Sequence, residues 1–177
     1  MTLSFYVHIP YCVKRCGYCD FNTYTPSELQ DGATLELVSN DYIDAVLREL
    51  ESAPTSKVPT IFFGGGTPSL LPPSDLGRVI AAIRNRFDLA ADAEITLEAN
   101  PDSVTAEKLA EYLAVGFNRI SFGMQSAKPH VLAALDRTHN PAQVPVVVHA
   151  ARDAGFTHIS VDLIYGTPGE TLQEWEA

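Results

Sequence analysis

Five short apolar runs, at residues 4–9, 60–63, 94–99, 119–122 and 159–164, recur along the chain, and that recurrence constrains the fold more than any other feature. Each has the length of a buried strand. Between them apolar residues return at helical spacing, as at Ile43, Val46, Leu47 and Leu50 or at Val147, Ala150, Ala151 and Ala154. Strand and helix therefore alternate, which predicts an α/β fold with a parallel sheet. Helix punctuation agrees. Thr105 can cap a helix that carries Glu107 in its first turn and stops at Gly116, and a later helix stops at Gly155;. That later helix opens near Asn140 or, because Pro145 cannot sit deep inside it, at Val144 with residues 140–143 as a separate turn;. Gly116-Phe117-Asn118-Arg119-Ile120-Ser121 is echoed by Gly155-Phe156-Thr157-His158-Ile159-Ser160, so the same helix-to-strand return is used twice.

A parallel sheet can be doubly wound or part of a barrel, and periodicity does not decide between them. The placement of polar residues does more. Reactive or glycine-rich sequence follows every run: residues 12–19, 64–67, 98–100, 124–126 and 162–167. Sites gathered from the carboxyl ends of several strands are the barrel pattern.

A chain of 177 residues has room for one sizeable core;. Its net charge of −10 would repel phosphate backbones, which disfavours nucleic acid and anionic membranes as partners;. No apolar stretch approaches the roughly 18 residues of a membrane span. The start Met1-Thr2-Leu3-Ser4 lacks the basic and apolar regions of a signal peptide, so the expectation is a cytoplasmic protein without a transmembrane segment;. Residues 171–177 look like the opening of a helix, and the chain is expected to be the N-terminal part of a longer protein.

All three cysteines fall within eight residues, in Cys12-Val13-Lys14-Arg15-Cys16-Gly17-Tyr18-Cys19, directly after the first run. An odd, clustered set cannot form a disulfide framework and in a reducing compartment points to metal or redox chemistry. A closed zinc site wants four ligands in pairs and would need His8 or Asp20 as the fourth. An iron–sulfur cluster on three thiolates leaves one iron open to a further molecule. The second signal is Ile61-Phe62-Phe63-Gly64-Gly65-Gly66-Thr67-Pro68, where glycines at a strand end let the backbone approach a ligand;. It is neither G-x-G-x-x-G nor a P-loop, and by itself it could be a tight turn. His8 can face the cysteines or satisfy a core hydrogen bond; His130, His139, His149 and His158 read as solvated surface.

Tyr6-Val7-His8-Ile9-Pro10-Tyr11-Cys12-x3-Cys16-x2-Cys19-Asp20-Phe21, followed by Gly64-Gly65-Gly66-Thr67-Pro68, resembles the radical S-adenosylmethionine (SAM) proteins related to oxygen-independent coproporphyrinogen III oxidase. The likeness continues through Glu98-Ala99-Asn100-Pro101, residues 119–126 and residues 161–169, nearly the whole chain. It implies a partial (βα)6 barrel, truncated after its fifth strand, with residues 1–177 as an incomplete radical SAM core domain. It also implies a [4Fe–4S] cluster on Cys12, Cys16 and Cys19, whose open iron binds the amino and carboxylate groups of SAM. One electron then cleaves SAM to methionine and a 5′-deoxyadenosyl radical. Carried over by position, Gly64, Gly65, Gly66 and Thr67 resemble the loop that meets the SAM amino group. Glu98 resembles the acid that accepts from the ribose hydroxyls, as a carboxylate can. Tyr6, Gln125, Arg137 and Asp162 match polar positions around SAM, with Arg137 a partner for its carboxylate. On the residues alone, the favoured readings are Tyr6 as a strand aromatic, Arg137 as a surface ion pair and Asp162 as a turn former.

Two branches of that family fit. One is the oxidase, an enzyme that decarboxylates coproporphyrinogen III. The other is a haem chaperone, which binds haem and delivers it to a client protein. Oxidases resemble C-x3-C-x2-C-x-C, whereas here Phe21 stands two after Cys19. Cys19-Asp20-Phe21 resembles the chaperone branch. SAM, haem or a porphyrin, and a low-potential donor such as flavodoxin or ferredoxin are the partners so implied; a small zinc-binding interaction module is the alternative from outside the family.

Overall fold

The structure, a computed structural model, describes residues 2–29 and 34–176. Five parallel strands, β1 (Thr2–Ile9), β2 (Lys57–Gly65), β3 (Asp88–Ala99), β4 (Arg119–Gln125) and β5 (His158–Leu163), form one sheet in chain order. Helix α1 (Leu35–Leu50) joins β1 to β2, α2 (Pro73–Arg86) joins β2 to β3, and α3 (Ala106–Ala114) joins β3 to β4. The last crossover holds α4 (Pro129–Ala134) and α5 (Gln143–Ala154), and a short α6 (Leu172–Trp175) follows β5. A doubly wound sheet reverses its strand order partway. Here the order never reverses, and successive right-handed crossovers put α1, α2, α3 and α5 side by side on one face, which is the winding of a barrel;. Among the described residues β1 and β5 do not pair, so the sheet stays open between them. No helix of the described residues is long and apolar enough to cross a membrane.

Alternation along each strand divides the two faces. Ile9, Ile61, Phe63, Leu97, Ile120 and Phe122 are fully enclosed and pack under the helices against Leu76, Val79, Ile83 and Leu109. Tyr112 of α3 is buried with them, and its hydroxyl donates to the carbonyls of Ser69 (3.0 Å) and Leu71 (2.8 Å), so no polar atom of its ring end is stranded;. The other face carries Tyr6 and His8 of β1, Glu94, Thr96 and Glu98 of β3, Arg119 and Ser121 of β4, and Ser160 and Asp162 of β5. Ile120→Val removes one methylene from the packed face only. It should cost about 0.5–1.5 kcal/mol of unfolding free energy. A denaturant melt with an unchanged m-value checks this.

The expected helix ends are present. Thr105 Oγ1 accepts from Lys108 N at 3.3 Å, and α3 closes with Phe117 N on Tyr112 O (3.2 Å) and Gly116 N on Leu113 O (3.0 Å). This paired C-terminal closure needs the left-handed Gly116, φ 116°;. Gly155 closes α5 in the same way, with Phe156 N on Ala151 O at 3.0 Å, so the sequence echo marks two copies of one structural return. Pro145 falls in the first turn of α5, and Asn140 forms a separate turn by accepting from Ala142 N. Strand β2 runs further than its apolar run, because Gly64 and Gly65 pair with His8 and Ile9 of β1. Glycine has little strand propensity of its own, and here the neighbouring strand overrides it. His139 is a correction: it is buried rather than solvated, with Nε2 on Met124 O at 3.0 Å, and burial lowers its pKa.

Candidate functional site

The cysteine loop leaves β1 at Pro10 and is clipped where it returns. Tyr24 N donates to Pro10 O (2.6 Å) and Cys12 N to Tyr24 O (3.0 Å), while Cys19 N closes a turn on Cys16 O (3.1 Å). Arg15 points away from the thiols, toward Thr23 and the Glu28 carboxylate at 2.9 Å. His8 Nε2 lies 2.8 Å from the Asn22 carbonyl, which can only accept, so Nε2 carries the proton and Nδ1 accepts from the Tyr6 hydroxyl at 3.2 Å;. His8 thus ties β1 to the returning arm of the loop.

Three glycines follow β1 across the sheet because side chains there would collide. An added Cβ would meet Glu98 Oε2 at 2.8 Å from Gly64, the His8 ring at 2.5 Å from Gly65, and Tyr11 O at 2.6 Å from Gly66. Gly65 also has φ 111°, which a side chain rarely adopts;. The backbone donors of this segment are already engaged: Gly65 N on Glu98 Oε2 (3.2 Å), Gly66 N on Ile9 O (2.7 Å), Thr67 N on Tyr11 O (2.8 Å). The segment therefore cannot cradle an anion as a phosphate loop does, and a cationic amino group would have to meet oxygen acceptors. Thr67 Oγ1 accepts from Asn100 Nδ2 (3.3 Å) and donates to Cys12 Sγ (3.9 Å). Burial pushes the Cys12 thiol pKa up, against the hydrogen bond from Thr67. Binding metal would displace that proton.

Opposite the loop stand two carboxylates. Burial holds Glu98 above the ordinary carboxylate range, the Gly65 N–H pulls it down and the Asp162 charge pushes it up. Asp162 is fixed by Ser121, whose hydroxyl donates to it at 3.0 Å. Ser160 donates to Ser121 (2.8 Å), and Arg119 donates to Ser160 (3.0 Å) and to Thr96 (3.3 Å). This ladder crosses β3, β4 and β5 and ends on an acceptor. Gln125 at the end of β4 has φ 61° beside an irregularity in the β4–β5 register. Such local strain re-aims a side chain at a strand end. Arg137 donates through Nη2 to Asn100 Oδ1 (2.6 Å) and Gly123 O (2.9 Å), and its buried Nε has no partner among the described residues.

A cavity of about 480 Å³ gathers Cys12, Cys16 and Cys19 on one wall with Gly65, Gly66, Thr67, Glu98, Gln125, Arg137 and Asp162. Two residues singled out in the sequence, Tyr6 and Gly64, do not line it. Gly64 lies directly behind, under Glu98, and the Tyr6 ring lies beyond Gly64 with its hydroxyl on His8. Asn100 and Ser121 line the cavity and were not singled out. The signal for Ser121 is strand alternation: it shares a face with Arg119 and Gly123 and pairs in register with Glu98 and Ser160.

No group of three or more His, Cys, Asp or Glu among the described residues is drawn around one point as a single ion requires. The donor set that lines the cavity includes three thiols, those of Cys12, Cys16 and Cys19. That suits a cluster in which each thiolate binds a different iron. The unpartnered Arg137 Nε beside them suits an anionic group such as an amino-acid carboxylate;.

Comparison with known proteins shows the family. The Radical SAM superfamily profile matches residues 6–177. The chain is 48% identical to the heme chaperone HemW of Mycobacterium tuberculosis (strain H37Rv) over 173 residues, which is 94% of this chain and 42% of that protein. It is 40% identical to the heme chaperone HemW of Escherichia coli (strain K12), covering 97% of this chain and 45% of that one. Among solved structures, the Escherichia coli coproporphyrinogen III oxidase HemN, described as a radical SAM enzyme, superposes with a TM-score of 0.84 at 32% identity. That match covers 98% of this chain and 39% of the oxidase. The chain thus spans less than half the length of each of these relatives, and its sheet corresponds to part of the HemN barrel.

Proposed function

Since this chain belongs to the radical SAM superfamily, we propose that it forms the cluster- and SAM-binding part of a haem chaperone. Membership implies SAM and a [4Fe–4S] cluster. Cys12, Cys16 and Cys19 would hold the cluster, which supplies the single low-potential electron that cleavage of SAM consumes. Around SAM, Glu98 accepts from the ribose hydroxyls, Asp162 and Gln125 hold polar groups of the nucleoside, and Arg137 Nε meets the carboxylate. Oxygen acceptors at Gly65 to Thr67 meet the amino group. The Gly65 N–H and the Ser121 hydroxyl keep the two carboxylates aimed before any ligand arrives, so little ordering remains at binding;.

The observation that favours the chaperone over the oxidase is Phe21. It lines the cavity two residues after Cys19, with 63% of its surface exposed, at the position where the oxidase pattern has a cysteine. An apolar ring there cannot supply thiol chemistry, while it offers a flat apolar surface. The likeness to two HemW proteins runs the same way. Haem, a low-potential donor such as flavodoxin or ferredoxin, a haem-receiving client and a cytoplasmic location complete the proposal.

The full-length protein, reconstituted anaerobically, decides it. Haem titration should give a saturable Soret shift, and coproporphyrinogen III with SAM and a low-potential reductant should give no more turnover than a Cys16→Ala control. Turnover well above that control would establish the oxidase reading instead.

A further inference from the structure

The three thiols are not equivalent. Cys16 Sγ receives Nη1 of Arg137 at 3.5 Å, across 121 residues of sequence, within the range of a hydrogen bond to sulfur. Cys12 Sγ receives a neutral group instead, the Thr67 hydroxyl at 3.9 Å. The guanidinium is not free to swing away, because Asn100 Oδ1 at 2.6 Å and Gly123 O at 2.9 Å hold Nη2 from two strand ends.

The arm of the loop that carries Cys16 is held to the same short segment. Lys14 Nζ pairs with Asp136 Oδ1 at 2.8 Å, and a Cβ on Gly17 would lie 2.8 Å from Asp136 Oδ2. Asp136 itself takes φ 57°, a conformation that costs a non-glycine residue energy and persists only where its surroundings impose it;. Asp136 therefore pairs with the loop before Cys16 and lies close to it after, at Gly17, while its neighbour Arg137 reaches the sulfur.

We propose that Arg137 tunes the iron–sulfur centre through Cys16, stabilising the electron that the cluster takes up. A fixed cation donating to one ligand sulfur offsets part of the charge added on reduction, and hydrogen bonds to cluster sulfurs are among the factors that set these potentials. This role rests on the cluster assignment above and adds to it: Nη1 serves the cluster while Nε remains for the carboxylate of SAM.

The test is an EPR-monitored potentiometric titration of the full-length reconstituted protein without SAM, comparing wild type with Arg137→Gln and Arg137→Lys. Both variants should keep about four irons per chain. The midpoint should move to more negative potential in Arg137→Gln and by less in Arg137→Lys, which keeps the charge without the planar fork. A wild-type protein without iron would instead remove the cluster assignment. Iron-replete variants with wild-type midpoints and weakened SAM binding would overturn the tuning role and leave Arg137 as a carboxylate partner alone. Should Arg137→Gln fail to fold, Arg137→Lys decides by the same criterion.

Discussion

Single replacement of Cys12, Cys16 or Cys19 by alanine will leave a folded protein that no longer retains a [4Fe–4S] cluster. The loop does not depend on its thiols for its path. Cys12 N on Tyr24 O, His8 on Asn22 O and Arg15 on Glu28 hold both arms, and none of these contacts uses sulfur. The hydrophobic core includes none of the three cysteines. What is lost is one of three covalent anchors, and two thiolates do not keep a cluster that already has one iron without a protein ligand. Iron and sulfide analysis after anaerobic reconstitution, with far-ultraviolet circular dichroism as the folding control, checks both halves. A variant that kept about four irons per chain would refute the assignment.

Replacing Glu98 should leave iron content unchanged and weaken SAM binding. Hydrogen bonds to a charged acceptor contribute about 1.5–3 kcal/mol, so Glu98→Ala should lose roughly ten- to a hundred-fold in affinity by calorimetry. Far-ultraviolet circular dichroism separates this from unfolding, since Glu98→Ala leaves the Gly65 N–H without its acceptor. The pH dependence carries a second signature. Burial raises the pKa of Glu98 in the folded chain, so this group favours folding most at pH below its unfolded pKa, and that contribution fades as pH rises through the folded pKa;. Ribose hydroxyls favour the ionised acceptor, so SAM affinity should strengthen as pH rises through the same window. Glu98→Gln should lack that rise, and an unchanged affinity or slope would make Glu98 a purely structural residue.

Much of this site is legible in the sequence because strand ends and chemistry coincide. The cysteines, Glu98 and Asp162 sit where apolar runs stop, and barrel winding brings those ends to one mouth. What is not legible depends on distance in space. Arg137 lies on no strand, and nothing in its neighbours reveals that it reaches Cys16. The glycine triplet looks like a loop, yet two of its members are in the sheet, since their role is to clear room for His8 and Glu98. Tyr6 shares a face with the site residues but stops short of the cavity, and His139 looks like surface until β4 and the segment after α4 enclose it.

The serine–arginine ladder has a further effect on how β5 joins the sheet. An edge strand with one partner can slip, and a slip of one residue inverts its faces. In β5 such a slip would set Ile159 or Val161 against Ser121, taking Ser160 from Arg119 Nη2 and Asp162 from the Ser121 hydroxyl. Only the native alignment gives every one of these groups an acceptor. The hydrogen bonds that aim Asp162 into the cavity therefore also proofread the pairing of β5 with β4, because a slipped register turns Asp162 away from the site.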